Sequence, residues 1–519
     1  MTRTAAEAES RAKGGCCNRR LSGLMGDGGE NLFSNSIAQQ ARGFAQANNN
    51  RPQTTLPRRN TLTESYSGKR KRSPPKRTPF EVPRIGLEPT RLSALAPETS
   101  ASTISPSGLC DCKGNYFFSN CNNFGSTFNF YLCTFNFFDY ICCSKPSVEL
   151  AAIYFHIPFC KRICGYCYFY RSVKFKYIPD VVEAMHRELA EQQEFLHDKT
   201  IRTIYFGGGT PSLLAPCEIE RFVEQVRKQF DCSALEEVTI EVNPDDITPA
   251  YIAELRKTSV NRISMGVQSL DDGCLQFMGR RHSAQQAVEA VKMLQEAGYD
   301  NISVDVIFGV ENFGAESLAH TLQRMLAMNI QHISAYHLTI EENTRFGRML
   351  ARGELHETAE ERSEAEFLQV HNALTAAGFE HYEVSNYALP NYRSKHNSSY
   401  WHDVEYLGIG VGAHSYNGAV RRWCEQPIEE YIGGVEYGSE MLSERDKLNE
   451  YVMTSLRCAE GLSLDKVERN FGSAERKRLE REAGKTGVAG LLINDNGNLR
   501  IVPEKMLLSD LVISALIEV

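Results

Sequence analysis

Ile153-Tyr154-Phe155-His156-Ile157-Pro158-Phe159-Cys160-Lys161-Arg162-Ile163-Cys164-Gly165-Tyr166-Cys167 is the stretch on which the reading of this 519-residue chain turns. Its first five residues, β-branched and aromatic around one histidine, read as a strand. Pro158 ends that strand, and three cysteines follow at C-x3-C-x2-C spacing, with Gly165 allowing a tight path between them. Three thiolates so close together can ligate three irons of a [4Fe–4S] cube and leave the fourth iron open to a small chelating ligand. A disulfide reading fits poorly, because the count is odd and the first twenty residues hold no apolar secretory segment. Structural zinc needs a fourth ligand, for which His156 is the candidate.

Outward from this loop, short strand-like runs alternate with amphipathic helical stretches. The expected strands are Ile153–Ile157, Ile201–Phe206, Val238–Val242, Arg262–Val267, Ile302–Phe308 and His332–Leu338. The expected helices are Pro179–His197, Glu218–Phe230, Pro249–Lys257, Ser283–Ala297, Glu316–Met328 and Arg362–Ala377. Six strand–helix units predict an α/β fold with a parallel sheet and right-handed crossovers, either open and doubly wound or a curved partial barrel. In both cases functional groups collect at the carboxyl ends of the strands. Beyond Ser439, helices at Glu444–Leu456 and Ser463–Phe471 precede two short strands around Asp495-Asn496-Gly497, which predicts a small winged-helix-like domain. It lacks a concentrated basic face, so covering a partner or substrate is the expected role rather than binding nucleic acid.

Charge divides the chain. Residues 1–149 carry 19 Lys and Arg against 11 Asp and Glu, leaving 38 against 54 in the remainder. The overall net of -8 argues against a nucleic-acid-binding protein. No stretch is long and apolar enough to predict a membrane span, and a cytoplasmic location is expected. Residues 1–108 are rich in Arg, Ser, Thr, Pro, Gly and Asn and read as disordered, and the run Lys69–Arg77 reads as a solvated basic linker. Residues 110–143 are aromatic, Asn-rich and Cys-rich without a ligand spacing. Ile85–Gly108 looks like conceptual translation of a transfer-RNA gene. On that reading most of residues 1–149 is spuriously translated and the natural start lies near Leu150. N-terminal sequencing of the natural product tests this, and a chain beginning at Met1 refutes it. Cys217, Cys232, Cys274, Cys424 and Cys458 read as packing thiols.

The cysteine spacing resembles the radical S-adenosylmethionine (SAM) superfamily. Tyr154-x-His156-Ile157-Pro158-Phe159-Cys160, Gly207-Gly208-Gly209-Thr210-Pro211-Ser212, Glu241-x-Asn243-Pro244, Gly266-Val267-Gln268-Ser269 and Tyr406-Leu407-Gly408-x-Gly410-x-Gly412-Ala413-His414-Ser415 resemble its HemN/HemW group, over about residues 150–519. The resemblance implies a (β/α)6 partial barrel at 150–385, a cofactor-covering segment at 386–438 and a C-terminal domain at 439–519. It implies a [4Fe–4S] cluster on Cys160, Cys164 and Cys167, with the amino and carboxylate groups of SAM on the open iron. Tyr154 and Tyr166 match positions flanking that cofactor. Gly208, Gly209 and Thr210 match a loop whose backbone can approach the methionine moiety. Glu241, Gln268, Arg280 and Asp305 match polar SAM contacts, and Thr339 and His414 match later lining positions. The implied chemistry is reductive cleavage of SAM to a 5′-deoxyadenosyl radical inside a barrel that excludes water.

Two branches of the group compete. The coproporphyrinogen III dehydrogenase branch, which oxidatively decarboxylates two propionates, carries a further cysteine two residues after the third ligand; here Phe169 stands there. The haem-chaperone branch has an aromatic residue at that place and an H-N-x-x-Y-W motif, matched by His396-Asn397-Ser398-Ser399-Tyr400-Trp401. The closer resemblance is to this branch. It implies haem as a further ligand, with His396 as axial ligand and Tyr400 and Trp401 facing the porphyrin. It also implies a haem-acceptor protein and an electron donor as partners. Tyr168, where that branch commonly has Asp, and Phe308-Gly309-Val310-Glu311, in place of Tyr-Gly-Leu-Pro, depart from the pattern and question the local loop shape.

Overall fold

A computed structural model describes residues 150–518. The expectations for residues 1–149 lie outside the described residues.

The six expected strand–helix units are present. In chain order they are β1 (Ala151–Ile157), α1 (Ile178–Glu191), β2 (Ile201–Gly208), α2 (Pro216–Gln229), β3 (Glu237–Val242), α3 (Pro249–Leu255), β4 (Arg262–Gln268), α4 (Asp272–Met278), α5 (Ala284–Glu296), β5 (Ile302–Phe308), α6 (Ala315–Leu326), β6 (His332–His337), α7 (Arg345–Ala351) and α8 (Glu360–Ala376). Strands β1 to β6 pair in parallel and in sequence order. Every residue of β1 is buried, as expected of a central parallel strand covered on both faces. On its outer face Phe155 stacks on Phe206 at 4.8 Å and packs on Phe222 of α2 at 4.9 Å. The alternate positions point inward, and there the strands carry polar groups: Tyr154, His156, Tyr205, Glu241, Arg262 and Asp305. A strand pattern with both faces covered but one face polar is the mark of a barrel lumen built to hold something polar.

The segment 386–438, expected as a cover, is built into the sheet. Strands β7 (Glu380–Glu383) and β8 (Asn386–Ala388) extend the β6 edge antiparallel, and α9 (Lys395–Trp401) follows. Strand β9 (Tyr406–Ile409) then joins β1 in parallel, and β10 (His414–Tyr416), β11 (Val420–Trp423), α10 (Ile428–Tyr431) and β12 (Gly438–Met441) continue outward. The resulting twelve-stranded order is β12-β11-β10-β9-β1-β2-β3-β4-β5-β6-β8-β7. The buried carboxylate of Glu188 on α1 holds this extension in place, accepting from Gly410 N (2.9 Å), Tyr431 Oη (2.5 Å) and Tyr437 Oη (2.7 Å).

The C-terminal part runs α11 (Glu444–Leu456), β13 (Leu462–Ser463), α12 (Leu464–Phe471), α13 (Ser473–Ala483), β14 (Leu492–Asp495), β15 (Asn498–Ile501) and α14 (Ser509–Leu516). Its three strands pair antiparallel in the order β13-β15-β14, the winged-helix arrangement. The expected hairpin turn has left-handed backbone at Asn496 (φ 54°) and Gly497 (φ 87°), the conformation that selects Asn-Gly. This part is stitched to the barrel by Val384 N to Arg457 O (2.9 Å) and Ala459 N to Tyr382 O (3.0 Å). Among the described residues no helix is long and apolar enough to cross a membrane.

Candidate functional site

The cysteine loop leaves the carboxyl end of β1 and is closed at its neck. Cys160 N donates to Ser172 O (3.0 Å) and Ser172 N to Pro158 O (2.6 Å). Two further backbone bonds fix its middle: Gly165 N to Met278 O (2.8 Å) and Phe346 N to Gly165 O (2.9 Å). Gly165 has no room for a side chain, since a Cβ there would lie 2.6 Å from the Phe346 ring. Cys160, Cys164 and Cys167 form no disulfide, are partly exposed, and border one recess with Tyr166, Thr210 and Arg280. Among the described residues no three Cys, His, Asp or Glu side chains form a group able to hold a single metal ion.

Polar groups from successive strands meet behind these thiols. Thr210 Oγ1 lies 3.5 Å from Cys160 Sγ and accepts from Asn243 Nδ2 at 3.1 Å. Arg280 follows α4. Its Nη1 lies 3.5 Å from Cys164 Sγ, and its Nη2 donates to Asn243 Oδ1 and Gly266 O, each at 2.5 Å. Burial alone would weaken the charge of Arg280, but Tyr166 and Cys164 beside it raise its pKa. Gln268 ends β4 in left-handed backbone (φ 69°), after a register irregularity between Met265 and Gln268 in the pairing with β5. Such a conformation in a buried non-glycine residue stores strain.

Glu241 accepts from Tyr205 Oη (2.8 Å) and Gly208 N (3.2 Å). Burial pushes its carboxyl up to about 7, against the pull of the Tyr205 bond and with some help from the nearby Asp305. Burial also lifts Asp305 to about 6, opposed by its bond to Ser334 and by Arg262 and Arg280. His414 stacks on Trp423 at 6.2 Å, and burial lowers its imidazole to about 4, with smaller contributions from Arg421 and His156. Thr339 lies just past β6, half-buried. The fold therefore gathers the expected contact residues at the carboxyl ends of the strands. Arg280 Nε, Gln268 Oε1 and His414 Nδ1 are buried there without a hydrogen-bond partner in the structure. Unspent donors and acceptors beside three thiols fit a polar ligand such as SAM above a cluster.

Two expectations are corrected, and the glycine loop has a packing cause beside the expected one. A Cβ on Gly209 would lie 2.7 Å from Phe159 O and 2.8 Å from Ile157 O, and one on Gly208 would strike the His156 ring at 2.6 Å. The glycines let β2 close on the root of the cysteine loop. His156 is also no zinc ligand here: its Nδ1 meets Tyr154 Oη (3.2 Å) and its Nε2 meets Tyr170 O (3.0 Å), which spends both nitrogens. Finally, Cys217 is exposed rather than packed.

The H-N-x-x-Y-W residues lie elsewhere. His396 is fully buried. Its Nδ1 meets Thr203 Oγ1 (2.8 Å), its Nε2 meets Tyr400 Oη (2.9 Å), and its ring stacks on Tyr205 at 4.9 Å. Its backbone N donates to Glu237, the first residue of β3. Thr203 is five residues before Gly208 on β2, about 16 Å at the usual rise per residue. His396 thus plugs the amino end of the barrel, opposite the thiols. Burial, and secondarily Arg262, hold its imidazole down at about 3, so it is neutral. Tyr400 is buried beside it, and Trp401 is buried against Cys458. In this structure none of the three presents a face or a free nitrogen to a porphyrin, and the expectation of axial ligation by His396 is corrected.

Sequence reasoning passed over Asn243 as a site residue, although it lies inside the quoted Glu241-x-Asn243-Pro244 fragment. It also missed Arg262, buried in the lumen with Nε and Nη1 unpartnered, because an arginine opening an apolar strand gives no signal of which way it points.

Comparison with known proteins adds to this geometry. The model of the radical SAM superfamily matches residues 154–325, and that of the HemN C-terminal domain matches 442–508. A protein named heme chaperone HemW from Lactococcus lactis is 33% identical over 372 residues, covering 69% of this chain and 97% of that protein. The chain belongs to the HemW family of radical SAM proteins. The HemW protein of Bacillus subtilis is 30% identical, covering 62% of this chain and 87% of its own. That of Escherichia coli is 35% identical over 265 residues, covering 51% and 69%. The solved structure of the Escherichia coli coproporphyrinogen III oxidase HemN, a radical SAM enzyme, superposes with a TM-score of 0.62 at 20% identity, covering 72% of this chain and 91% of that one. That likeness concerns the fold. Membership of the HemW family implies a [4Fe–4S] cluster and SAM.

Proposed function

We propose that this chain is a haem chaperone. It holds a [4Fe–4S] cluster on Cys160, Cys164 and Cys167, binds SAM at the mouth of the barrel and haem elsewhere, and passes haem to an acceptor protein. The observation that carries the proposal is the identity with HemW of Lactococcus lactis over nearly all of that protein, together with thiols that border a recess of unspent polar groups. Cluster and SAM together would supply one-electron chemistry at the sulfonium. The chain's own part is assigned as follows. Arg280, Gln268 and His414 orient the ligand, Glu241 and Asp305 set the polarity beneath it, and the buried lumen excludes water. The haem ligand then comes from a residue other than His396.

Phe169, rather than a cysteine, two residues after Cys167 favours this reading over porphyrinogen decarboxylation. The test uses anaerobically reconstituted protein. It should acquire iron, sulfide and a brown colour, and lose all three when Cys160, Cys164 and Cys167 are replaced by Ser. With haem it should form a stable complex that transfers to an apo-haemoprotein. Incubation with SAM, a reductant and coproporphyrinogen III should yield no vinyl product; formation of that product would assign the decarboxylating reaction instead.

A further inference from the structure

The cysteine loop has a surface that its cluster does not explain. From Pro158 to Pro179 there is no acidic residue and there are five basic ones, Lys161, Arg162, Arg171, Lys174 and Lys176. This occurs within a part of the chain that carries 54 Asp and Glu against 38 Lys and Arg. Four of the eight exposed large hydrophobic residues among those described also fall here: Ile163, Tyr168, Val173 and Phe175. Acids from neighbouring elements neutralise part of the charge. Asp246 pairs with Lys161 at 2.5 Å, and Glu429 at the start of α10 pairs with Lys174 at 2.7 Å. Arg162 and Lys176 are exposed and have no ion pair among the described residues. Exposed apolar side chains ringed by uncompensated positive charge are costly to leave in water and mark a docking face.

We infer that this collar docks the electron donor, and that the donor is an acidic protein with a one-electron redox centre near its surface. The inference rests on the cluster assignment made above. Two features select this partner. The collar belongs to the same closed loop as Cys160, Cys164 and Cys167, all partly exposed, so a protein seated on it meets the cluster without an intervening layer. Electron transfer falls steeply with distance and demands such an approach. The positive charge selects an acidic face and speeds encounter. In the step itself the reduced carrier loses one electron and the cluster gains it, with no bond made or broken.

The test uses an acidic flavodoxin and an acidic [2Fe–2S] ferredoxin as probes. Binding to the full-length chain is measured by titration, with and without reconstituted cluster, and cluster reduction is followed by absorbance with each reduced carrier and with dithionite. At least one carrier should bind the wild-type chain, more weakly at about 0.3 M salt than at about 0.05 M. The Arg162→Glu/Lys176→Glu variant should bind it at least about tenfold more weakly and accept electrons from it correspondingly more slowly, while dithionite still reduces its cluster. Val173→Ser/Phe175→Ser, outside the Cys160–Cys167 stretch and without a change of charge, should show the same pattern and guards against a local assembly defect in the first variant. If neither carrier binds, or if both variants bind and are reduced as the wild type is, the docking face is refuted. Absence of iron and sulfide from the wild-type chain would instead defeat the cluster assignment, while the titration without cluster still reads the docking.

Discussion

The guanidinium of Arg280 reaches the Sγ of Cys164 at 3.5 Å while its other arm is fixed by Asn243. One side chain thereby ties the cysteine loop to the carboxyl ends of β3 and β4, and its Nε remains unpartnered and buried. Replacing it with Lys keeps a charge but loses the fork that bridges these elements. Arg280→Lys should therefore retain iron and sulfide but bind SAM at least about tenfold more weakly by calorimetric titration, one hydrogen bond to a charged group being worth on the order of 1.5–3 kcal/mol. Unchanged affinity would remove Arg280 from the ligand-binding set.

His396→Ala separates a ligand from a plug. The substitution leaves a cavity beneath Tyr205 and strips Thr203 and Tyr400 of their partner. Stability should fall by about 2–4 kcal/mol in denaturant unfolding. Haem affinity per folded molecule, and the absorption spectrum of the complex, should stay as in the wild type. Loss of haem binding without loss of stability would restore His396 as an axial ligand.

The divide between what was legible and what was not follows from physical range. The cysteine spacing, the strand–helix alternation and the Asn496-Gly497 turn are encoded within a few residues of each other and were readable. The strands β7 to β12 were not. They are two to five residues shorter than the barrel strands, and the two that join the barrel do so through partners far away in sequence, as Tyr406 pairs with Ala152 and Tyr387 with Ile333. His396 was misread for a related reason. A histidine beside Tyr and Trp looks the same in sequence whether it faces a ligand or a core, and only Thr203 and Glu237, more than 150 residues earlier, decide the matter. A packing cause for the glycines was not legible, because the atoms that exclude a Cβ belong to His156 and Ile157 of β1 and to Phe159 just past it.

Gly209→Ala tests that cause. The added methyl would meet the carbonyls of Ile157 and Phe159, so the root of the cysteine loop has to shift, and Thr210 with it. Cluster content after reconstitution should fall well below the wild type. Gly487→Ala, where a Cβ meets nothing within 4 Å, should leave it unchanged. Equal iron in both variants would mean that the packing at Gly209 is looser than the structure gives it.

Glu241 makes a pH dependence measurable without any cofactor. Its carboxyl is raised from 4.5 to about 7 by burial, so the folded chain holds a proton that the unfolded chain has already released. Folding is then favoured below the unfolded value and loses stability as pH rises through the folded one. Glu241→Gln cannot titrate and lacks this term. The wild-type chain should lose stability relative to the variant between pH 4.5 and about 7, by up to about 3 kcal/mol, and the difference should level off above that range. Asp305, lifted to about 6 mainly by burial, adds a slope of the same sign to both proteins. A difference that stays flat across this window in urea unfolding curves would mean that Glu241 is ionised throughout and reaches water in the lumen.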